Sequence, residues 1–175
     1  MNISYDKIRI RPAEASDASQ LAAWWNDGAV MAHAGFPKGL GTTPETVSRQ
    51  ISGYSDEKGG VHIIEYEKRP IGEMNYRNIG DQTAEMGIKI CDTHYQEKGL
   101  GRIILSLFIQ GLFDMGFEKI ALDTNLKNTR AQHVYEKLGF RKLRVNVDSW
   151  TNQLGEMQSS VDYELTPECF RSFVP

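Results

Sequence analysis

The stretch of sequence that decides the fold is residues 96–102, which read Gln96-Glu97-Lys98-Gly99-Leu100-Gly101-Arg102. It follows an apolar strand pattern that ends at Cys91, and it opens a long helix pattern. A junction of strand, glycine loop and helix points several backbone N–H groups and the positive end of the helix dipole at one spot. The glycines allow positive φ angles and a close approach of backbone to ligand. The junction predicts a pyrophosphate site, and a loop whose glycines serve only the turn is the alternative.

Two familiar phosphate-binding motifs do not account for this loop. A dinucleotide-binding fingerprint requires a third glycine, and Ile104 stands at that position. A P-loop requires Gly-Lys-Ser/Thr after the loop, and the sequence has no such run there. The identification therefore depends on the sequence on either side.

Hydrophobic periodicity around the loop predicts one mixed α/β sheet. The predicted strands cover 7–11, 61–67, 71–77, 84–91, 119–124, 141–150 and 156–165. Helices are predicted from Ser16 to Trp25 and over 43–53, 99–115 and 128–138, with residues 28–42 irregular. Consecutive strands joined by short turns favour antiparallel pairing, whereas the strand-helix-strand unit over 84–124 favours one parallel pair. The fold class is a mostly antiparallel sheet flanked by helices.

In the helix over 99–115, polar residues recur every fourth position and predict a narrow stripe that faces water. The members of this stripe are Arg102, Ser106, Gln110 and Asp114.

The composition is that of an ordinary globular protein with one domain over residues 1–175. A net charge of −3 argues against nucleic-acid binding by phosphate neutralisation. The two cysteines form neither a zinc motif nor a disulfide framework, so we expect no metal and a reducing, cytoplasmic location. No run approaches the roughly 18 apolar residues of a membrane span, so no membrane association is expected.

A second motif follows one strand after the glycine loop. It consists of Asn125, Asn128, Ala131, Tyr135 and Leu138-Gly139-Phe140. With the glycine loop before it, this part of the chain resembles the GNAT N-acetyltransferases, and the resemblance extends from Ile8 to Leu165. The segments 25–27 (Trp-Asn-Asp) and 84–88 (Ala-Glu-Met-Gly-Ile) resemble the RimJ/RimL-type branch of that family.

The resemblance implies the GNAT fold, in which the parallel strand pair splays apart, and acetyl-CoA as co-substrate. The pantetheine arm is then expected to pair with the backbone of the strand before the loop, and the pyrophosphate to bind the loop. The implied cofactor residues are Ile88, Lys89, Ile90, Gln96, Glu97, Lys98, Gly99, Leu100, Gly101, Arg102, Asn125, Asn128 and Lys137. Asn128 is also placed to cap the next helix. Lys98, Arg102 and Lys137 are candidates to neutralise phosphate charge. The alternative is that each is a solvated surface cation.

The resemblance also implies catalytic roles for two residues. Tyr135 is expected to be the general acid that protonates the leaving thiolate, with a core tyrosine as the alternative. Glu85 is expected to be the base that deprotonates the acceptor, because a carboxylate between apolar neighbours has a raised pKa. A solvent-facing Glu85 is its alternative, and Glu73 or water could then serve as the base.

The expected reaction is direct attack of a primary amine on the acetyl thioester in a ternary complex. The resemblance places the acceptor near 28–42 and Trp150, with Met31 and Phe36 as further apolar wall residues and His33 as the one histidine of interest. A small cationic amine and a protein N-terminus both remain open as acceptors, as does a homodimer. A non-catalytic acyl-CoA-binding sensor or interaction module is the alternative function.

Overall fold

A computed structural model describes residues 1–174 of the chain. The strands are β1 (Ile3–Tyr5), β2 (Ile8–Pro12), β3 (Gly59–Tyr66), β4 (Arg69–Asn78), β5 (Thr83–Ile90), β6 (Lys119–Asn125), β7 (Arg141–Thr151) and β8 (Met157–Leu165). The helices are α1 (Ala18–Asn26), α2 (Gly28–Met31), α3 (Pro44–Ile51), α4 (Leu100–Asp114) and α5 (Thr129–Lys137). Short 3-10 turns cover Ala15–Asp17, Ala32–Ala34, Thr93–Tyr95 and Pro167–Cys169.

All eight strands form one sheet in the order β1-β2-β3-β4-β5-β6-β8-β7. Every neighbouring pair is antiparallel except β5 and β6, which confirms the predicted mixed sheet with one parallel pair. These two strands pair only from Thr83↔Lys119 to Glu85↔Ala121. Past Glu85 they diverge, so β5 remains paired with β4 but has an open edge on its β6 side.

The two faces of the sheet carry cores of different size. The larger core packs α4 and α5 against one face and includes fully buried Phe108, Leu112 and Ile120. The smaller core packs α1 and α3 against the other face through Leu21, Val47 and Ile63, among others. Because Ile63 and Ile64 are adjacent on β3, strand alternation sends one side chain into each core.

Two elements differ from the sequence prediction in the N-terminal third. The three-residue β1 extends the sheet by pairing with β2, and its shortness kept it below the length that a periodic pattern can reveal. Residues 28–42 were expected to be irregular, but they begin with α2 and a 3-10 turn. Asp27 caps α2 by accepting a 2.8 Å hydrogen bond from the N–H of Ala29.

The predicted water-facing stripe of α4 is wrong at Ser106, which is fully buried. The C-terminal segment crosses α4 at this point, and the Ser106 hydroxyl accepts a 2.9 Å hydrogen bond from the N–H of Phe173. The same hydroxyl donates to the carbonyl of Arg102 at 2.8 Å. Helical periodicity could not reveal this contact, because Phe173 lies 67 positions further along the chain.

Among residues 1–174, no helix is long and apolar enough to cross a membrane.

Candidate active site

A cleft of about 820 Å³ opens where β5 and β6 diverge. Its walls come from the open edge of β5, the start of α4, the end of β6 and the start of α5. The turn after α2 and Trp150 on β7 close its far end. The splay of one strand pair thus creates the cavity, and most of the predicted site residues line it.

The start of α4 has the features of an anion site. Gly99 precedes the helix with a φ of 75°, and within the described chain no side chain caps this end. Among the described residues, the first turn of α4 also contains no acidic residue. Its backbone N–H groups therefore have no carboxylate partner from this turn. A fifteen-residue helix presents the positive end of its dipole here. This end of the cleft fits a pyrophosphate.

Gly101 faces the same space. A Cβ atom at this position would meet only Ile90 Cδ1, at an ordinary 3.6 Å. The protein itself therefore leaves room for a side chain at Gly101, and the room lies in the cleft. A backbone that is bare on the cleft side lets a ligand approach the amides closely.

Gln96 and Glu97 line the cleft and shape the loop. The Gln96 side chain donates a 2.8 Å hydrogen bond to the carbonyl of Ile90, which ties the loop back to β5. Glu97 forms a 2.9 Å ion pair with Arg130 on α5, across the mouth of the cleft. Arg130 was not predicted as a site residue, and only its position two residues after Asn128 could have suggested it.

Three predicted cofactor residues do not line the cleft: Lys98, Leu100 and Lys137. The Lys98 ammonium lies 5.8 Å from the centre of the Tyr95 ring, and Lys137 is exposed at the last turn of α5. Leu100 packs its side chain against the large core, which leaves only its backbone for the loop. Arg102 does line the cleft, so the side-chain cations at this end are Arg102 and Arg130.

Ile88, Lys89 and Ile90 lie along the cleft as predicted. On one side their backbones pair with β4, in the register Met74↔Ile88, Glu73↔Lys89 and Gly72↔Ile90. On the other side they lie beyond the last pair with β6, so their backbone groups face the cleft. An extended arm that carries amides can pair with such an edge as an added strand.

Asn125 and Asn128 line the cleft and also hold the local backbone. Asn128 caps α5 by accepting a 3.2 Å hydrogen bond from the N–H of Ala131, which confirms the capping interpretation. The Asn125 amide donates to Gln158 on β8 at 3.0 Å and accepts from the N–H of Lys127 at 2.9 Å. These contacts fix the turn that leads from β6 into α5.

Tyr135 lines the cleft from α5 while its ring packs in the core against Phe140 and Tyr163. The side chain is buried, with 8% of its surface exposed. This burial, with a contribution from the negative charge of Asp123, raises the pKa of Tyr135 to about 12. Tyr135 therefore keeps its proton at neutral pH, as a general acid must.

The two carboxylates predicted as bases are both paired with cations. Glu85 lines the cleft, and its carboxylate accepts a 2.8 Å hydrogen bond from Arg77 on the neighbouring strand. Glu73, on β4, is buried and binds the Lys89 ammonium at 2.9 Å. The apolar neighbours of Glu85 in the sequence did not reveal Arg77, which faces it across the β4–β5 register.

Asp123 is a cleft carboxylate that the sequence prediction missed. The Asp123 side chain is exposed at the cleft wall. Desolvation by the surrounding wall, together with the negative charges of Asp162 and Glu85, raises the pKa of the Asp123 carboxyl. In the sequence it is one polar residue within the alternating strand Lys119–Asn125, and nothing local separates it from a solvent-facing strand residue.

The far wall of the cleft differs in part from the prediction. His33 and Trp150 line it, but Met31 is buried beneath and Phe36 lies outside. The Trp150 ring packs on Gly35, where a Cβ atom would approach it to 2.4 Å. Gln153 fixes this contact by donating its backbone N–H to the Gly35 carbonyl at 2.8 Å. The β7–β8 hairpin and the segment after α2 thus hold each other in place.

The comparisons with known proteins agree with this geometry. A family model described as the acetyltransferase (GNAT) domain matches residues 7–141, more than half of the chain. No sequence among curated proteins matches the chain. The chain therefore belongs to the GNAT acetyltransferases, and it is an acetyl-CoA-dependent N-acetyltransferase.

Solved structures of GNAT proteins share the fold. A spermidine N-acetyltransferase from Vibrio cholerae, solved with CoA and spermine, has a TM-score of 0.82 at 20% identity, with 93% of this chain and 97% of that chain covered. A ribosomal-protein-S5-alanine acetyltransferase from Vibrio fischeri has a TM-score of 0.82 at 17% identity, with 98% and 99% covered. A probable acetyltransferase has a TM-score of 0.81 at 22% identity, with 96% and 98% covered. At these identities the likeness establishes the fold alone.

Proposed function

We propose that this enzyme transfers the acetyl group of acetyl-CoA to a small cationic primary amine by direct attack in a ternary complex. One observation carries the proposal. A single cleft is lined by an uncapped helix start, by Tyr135 and by the carboxylates of Glu85 and Asp123. An anion site and a cation site in one cavity match the charges of the two substrates.

Acetyl-CoA supplies an activated acetyl thioester. The first-turn amides of α4 bind its pyrophosphate, and Arg102 and Arg130 add positive charge. The open edge of β5 from Ile88 to Ile90 binds the pantetheine amides, and one of its N–H groups stabilises the oxyanion. Asn125 and Asn128 hold the opposite wall in shape.

The acceptor must lose a proton before it attacks. With an amine pKa near 10.4, only about one molecule in a thousand is neutral at pH 7. A carboxylate on the Glu85 side of the cleft accepts this proton. Tyr135 then donates its proton to the departing sulfur, because a thiol leaves more easily than a thiolate in a partly dry site.

Two observations favour a small cationic acceptor over a protein N-terminus. Glu85 and Asp123 line the cleft from the two diverging strands, whereas Arg102 and Arg130 line it from α4 and α5. The similar fold solved with spermine is that of a spermidine N-acetyltransferase, which supports a polyamine-like acceptor for this chain. The resemblance to the RimJ/RimL branch and the S5-alanine acetyltransferase neighbour support a protein N-terminus as the competing acceptor.

The test is release of free CoA, followed with a thiol reagent, across polyamines, aminoglycosides and short peptides with free N-termini. We expect turnover with the cationic small amines and little with the peptides. Turnover with the peptides alone would move the acceptor to a protein N-terminus. Tight acetyl-CoA binding without CoA release for any amine would instead identify a sensor.

A further inference from the structure

Four carboxylates share one face of the sheet around the acceptor end of the cleft. They are Glu73 on β4, Glu85 on β5, Asp123 on β6 and Asp162 on β8. Three of them hold a cation: Glu73 binds Lys89 at 2.9 Å, Glu85 binds Arg77 at 2.8 Å and Asp162 binds Arg144 at 2.6 Å. Within residues 1–174, Asp123 has no such ion pair.

Asp123 also stands where the two diverging strands separate. The last parallel pair is Glu85↔Ala121, and Asp123 lies two residues further on the same face of β6. Its side chain therefore projects at the apex of the splay and lines the cleft that Tyr135 lines from α5. Asp123 and Tyr135 both line this cleft, and the pKa of Tyr135 is raised by burial with a contribution from the negative charge of Asp123.

The groups that face Asp123 keep it ready to accept a proton. Glu85 on β5 and Asp162 on β8 are like charges, each partly neutralised by its arginine. His33 stands on the 3-10 turn that packs against β6, and Tyr135 faces it from α5. Desolvation at the cleft wall and then the charges of the two neighbouring carboxylates raise the pKa of Asp123, which strengthens it as a base.

We propose that Asp123 is the catalytic base that takes the proton directly from the acceptor ammonium, and that Glu85 acts through Asp123. The assignment rests on the proposed function. Glu85 and Glu73 each already hold a cation through one carboxylate oxygen, whereas Asp123 holds none among the described residues.

The proton balance of the step is as follows. Asp123 accepts one proton from the ammonium, and the freed nitrogen lone pair forms the new C–N bond to the thioester carbonyl carbon. The C–S bond breaks with its electron pair on sulfur, and Tyr135 gives the sulfur a proton. The nitrogen then loses its surplus proton, which restores Tyr135, and Asp123 returns its own proton to solvent. One proton is released for each acetyl group transferred.

The decisive experiment compares Asp123→Asn with Asp114→Asn in the full chain. Asp114 is an exposed aspartate at the end of α4, outside the cleft, so it controls for the loss of a carboxylate. We expect Asp123→Asn to lower kcat by about 10²–10⁴-fold with acetyl-CoA affinity unchanged. In the parent, kcat/KM should rise with pH through the Asp123 pKa, because only the ionised form accepts a proton. This limb should vanish in Asp123→Asn and persist in Asp114→Asn.

Acceptor basicity gives a second, independent test. Methoxyamine is already neutral at pH 7 and needs no base, so the loss in Asp123→Asn should shrink by at least about tenfold with this acceptor. An equal loss with basic and non-basic amines would overturn the assignment. A normal rate and an unchanged pH limb in Asp123→Asn would also overturn it.

Titration of the carboxyl groups by NMR in the ligand-free protein provides a readout besides activity. One aspartate, absent in Asp123→Asn, should titrate above the ordinary value of about 3.9. Glu85→Gln removes a like charge, so it should lower that pKa and move the kinetic limb to lower pH. An Asp123 pKa that ignores Glu85→Gln overturns the role of Glu85. A parent enzyme that releases no CoA with any amine overturns the proposed function and this inference together.

Discussion

The two ends of the cleft are built in different ways. The cofactor end uses the backbone of one nearly continuous stretch, from Ile88 on β5 to Arg102 on α4. The acceptor end uses side chains brought from β5, β6, β7 and the turn after α2, and these are separated by up to 117 positions in the sequence, from His33 to Trp150. A backbone-built site depends on few side chains, whereas a site of gathered side chains sets which acceptor is used.

The two ends also rest on different cores. The large core of α4, α5 and the sheet supports the start of α4 directly. Residues 27–43, which include α2 and the turn after it, connect α1 to α3, and these two helices pack on the sheet through the smaller core. The acceptor end should therefore open locally at a lower free energy than the cofactor end.

The largest effect should come from the residue between the two ends. Tyr135→Phe removes only a hydroxyl, so the ring contacts with Phe140 and Tyr163 remain. We expect kcat to fall by about 10²–10⁴-fold, with the affinities for both substrates unchanged. Steady-state kinetics and calorimetric binding of acetyl-CoA measure the two quantities.

Tyr163→Phe is the matched control for this variant. The Tyr163 hydroxyl donates to Glu136 at 2.9 Å and lies outside the cleft, so its loss should leave kcat unchanged. A Tyr135→Phe enzyme within a factor of about three of the parent would make Tyr135 a core tyrosine, and the acid would then be water.

The next largest effect tests the backbone-built end alone. Gly101→Val adds a side chain that the fold accommodates but that enters the cleft. We expect the acetyl-CoA Kd to rise by at least about 100-fold, or roughly 2.7 kcal/mol, without loss of thermal stability. Gly99→Val is less informative, because the φ of 75° at Gly99 strains any side chain.

Gly53→Val serves as its control, since Gly53 also faces open space but lies outside the cleft. Calorimetric titration with acetyl-CoA compares the two variants under the same conditions. Equal affinities in Gly101→Val and the parent would remove the helix start as the pyrophosphate site.

The cofactor end could be predicted from the sequence because its signals are local. The glycines at 99 and 101 and the Asn128 cap act within a few residues of their own backbone, so their spacing carries the information. Even at the cofactor end, the sequence pattern did not predict which way each side chain points. Lys137 was expected to face phosphate, but a residue two places after cleft-lining Tyr135 points away from the cleft.

The acceptor end could not be predicted to the same depth, because its pairs depend on strand register. Arg77 meets Glu85, and Asp123 comes close to both Glu85 and Asp162, only once four strands are aligned. The sheet and its parallel pair were predictable from strand lengths and connections. The point at which β5 and β6 separate was not, and that point places Asp123 in the cleft.

A smaller effect should appear at the far wall. Trp150→Ala removes an indole that lines the acceptor end and packs on Gly35. We expect the acceptor KM to rise by about tenfold, or roughly 1.4 kcal/mol, while the acetyl-CoA Kd stays constant. Phe36→Ala is the matched control, because Phe36 is close in sequence to this wall but lies outside the cleft. Equal increases in KM for both variants would extend the acceptor site to Phe36.

The smallest effect should come from the segment that carries His33. The Asn26 side chain closes this segment by accepting a hydrogen bond from the Thr42 N–H at 2.8 Å and donating one to the Thr42 carbonyl at 2.9 Å. Asn26→Ala breaks both bonds in an exposed position, at a cost of about 1–2 kcal/mol. A loss of about 1.4 kcal/mol in acceptor binding would raise KM tenfold. Only part of the lost stability of this segment affects acceptor binding, so we expect the acceptor KM to rise by about threefold.

Asn78→Ala separates this local effect from a general loss of stability. The Asn78 side chain also makes two hydrogen bonds, to the Glu57 carbonyl and from the Gly80 N–H, each 3.0 Å long. It is the last residue of β4 and lies outside the cleft, so Asn78→Ala should lower Tm by a similar amount with no change in KM. If hydrogen exchange in residues 28–42 were unchanged in Asn26→Ala, the segment would be held by the β7–β8 hairpin through Gln153 rather than by Asn26. The acceptor end would then be as firmly built as the cofactor end.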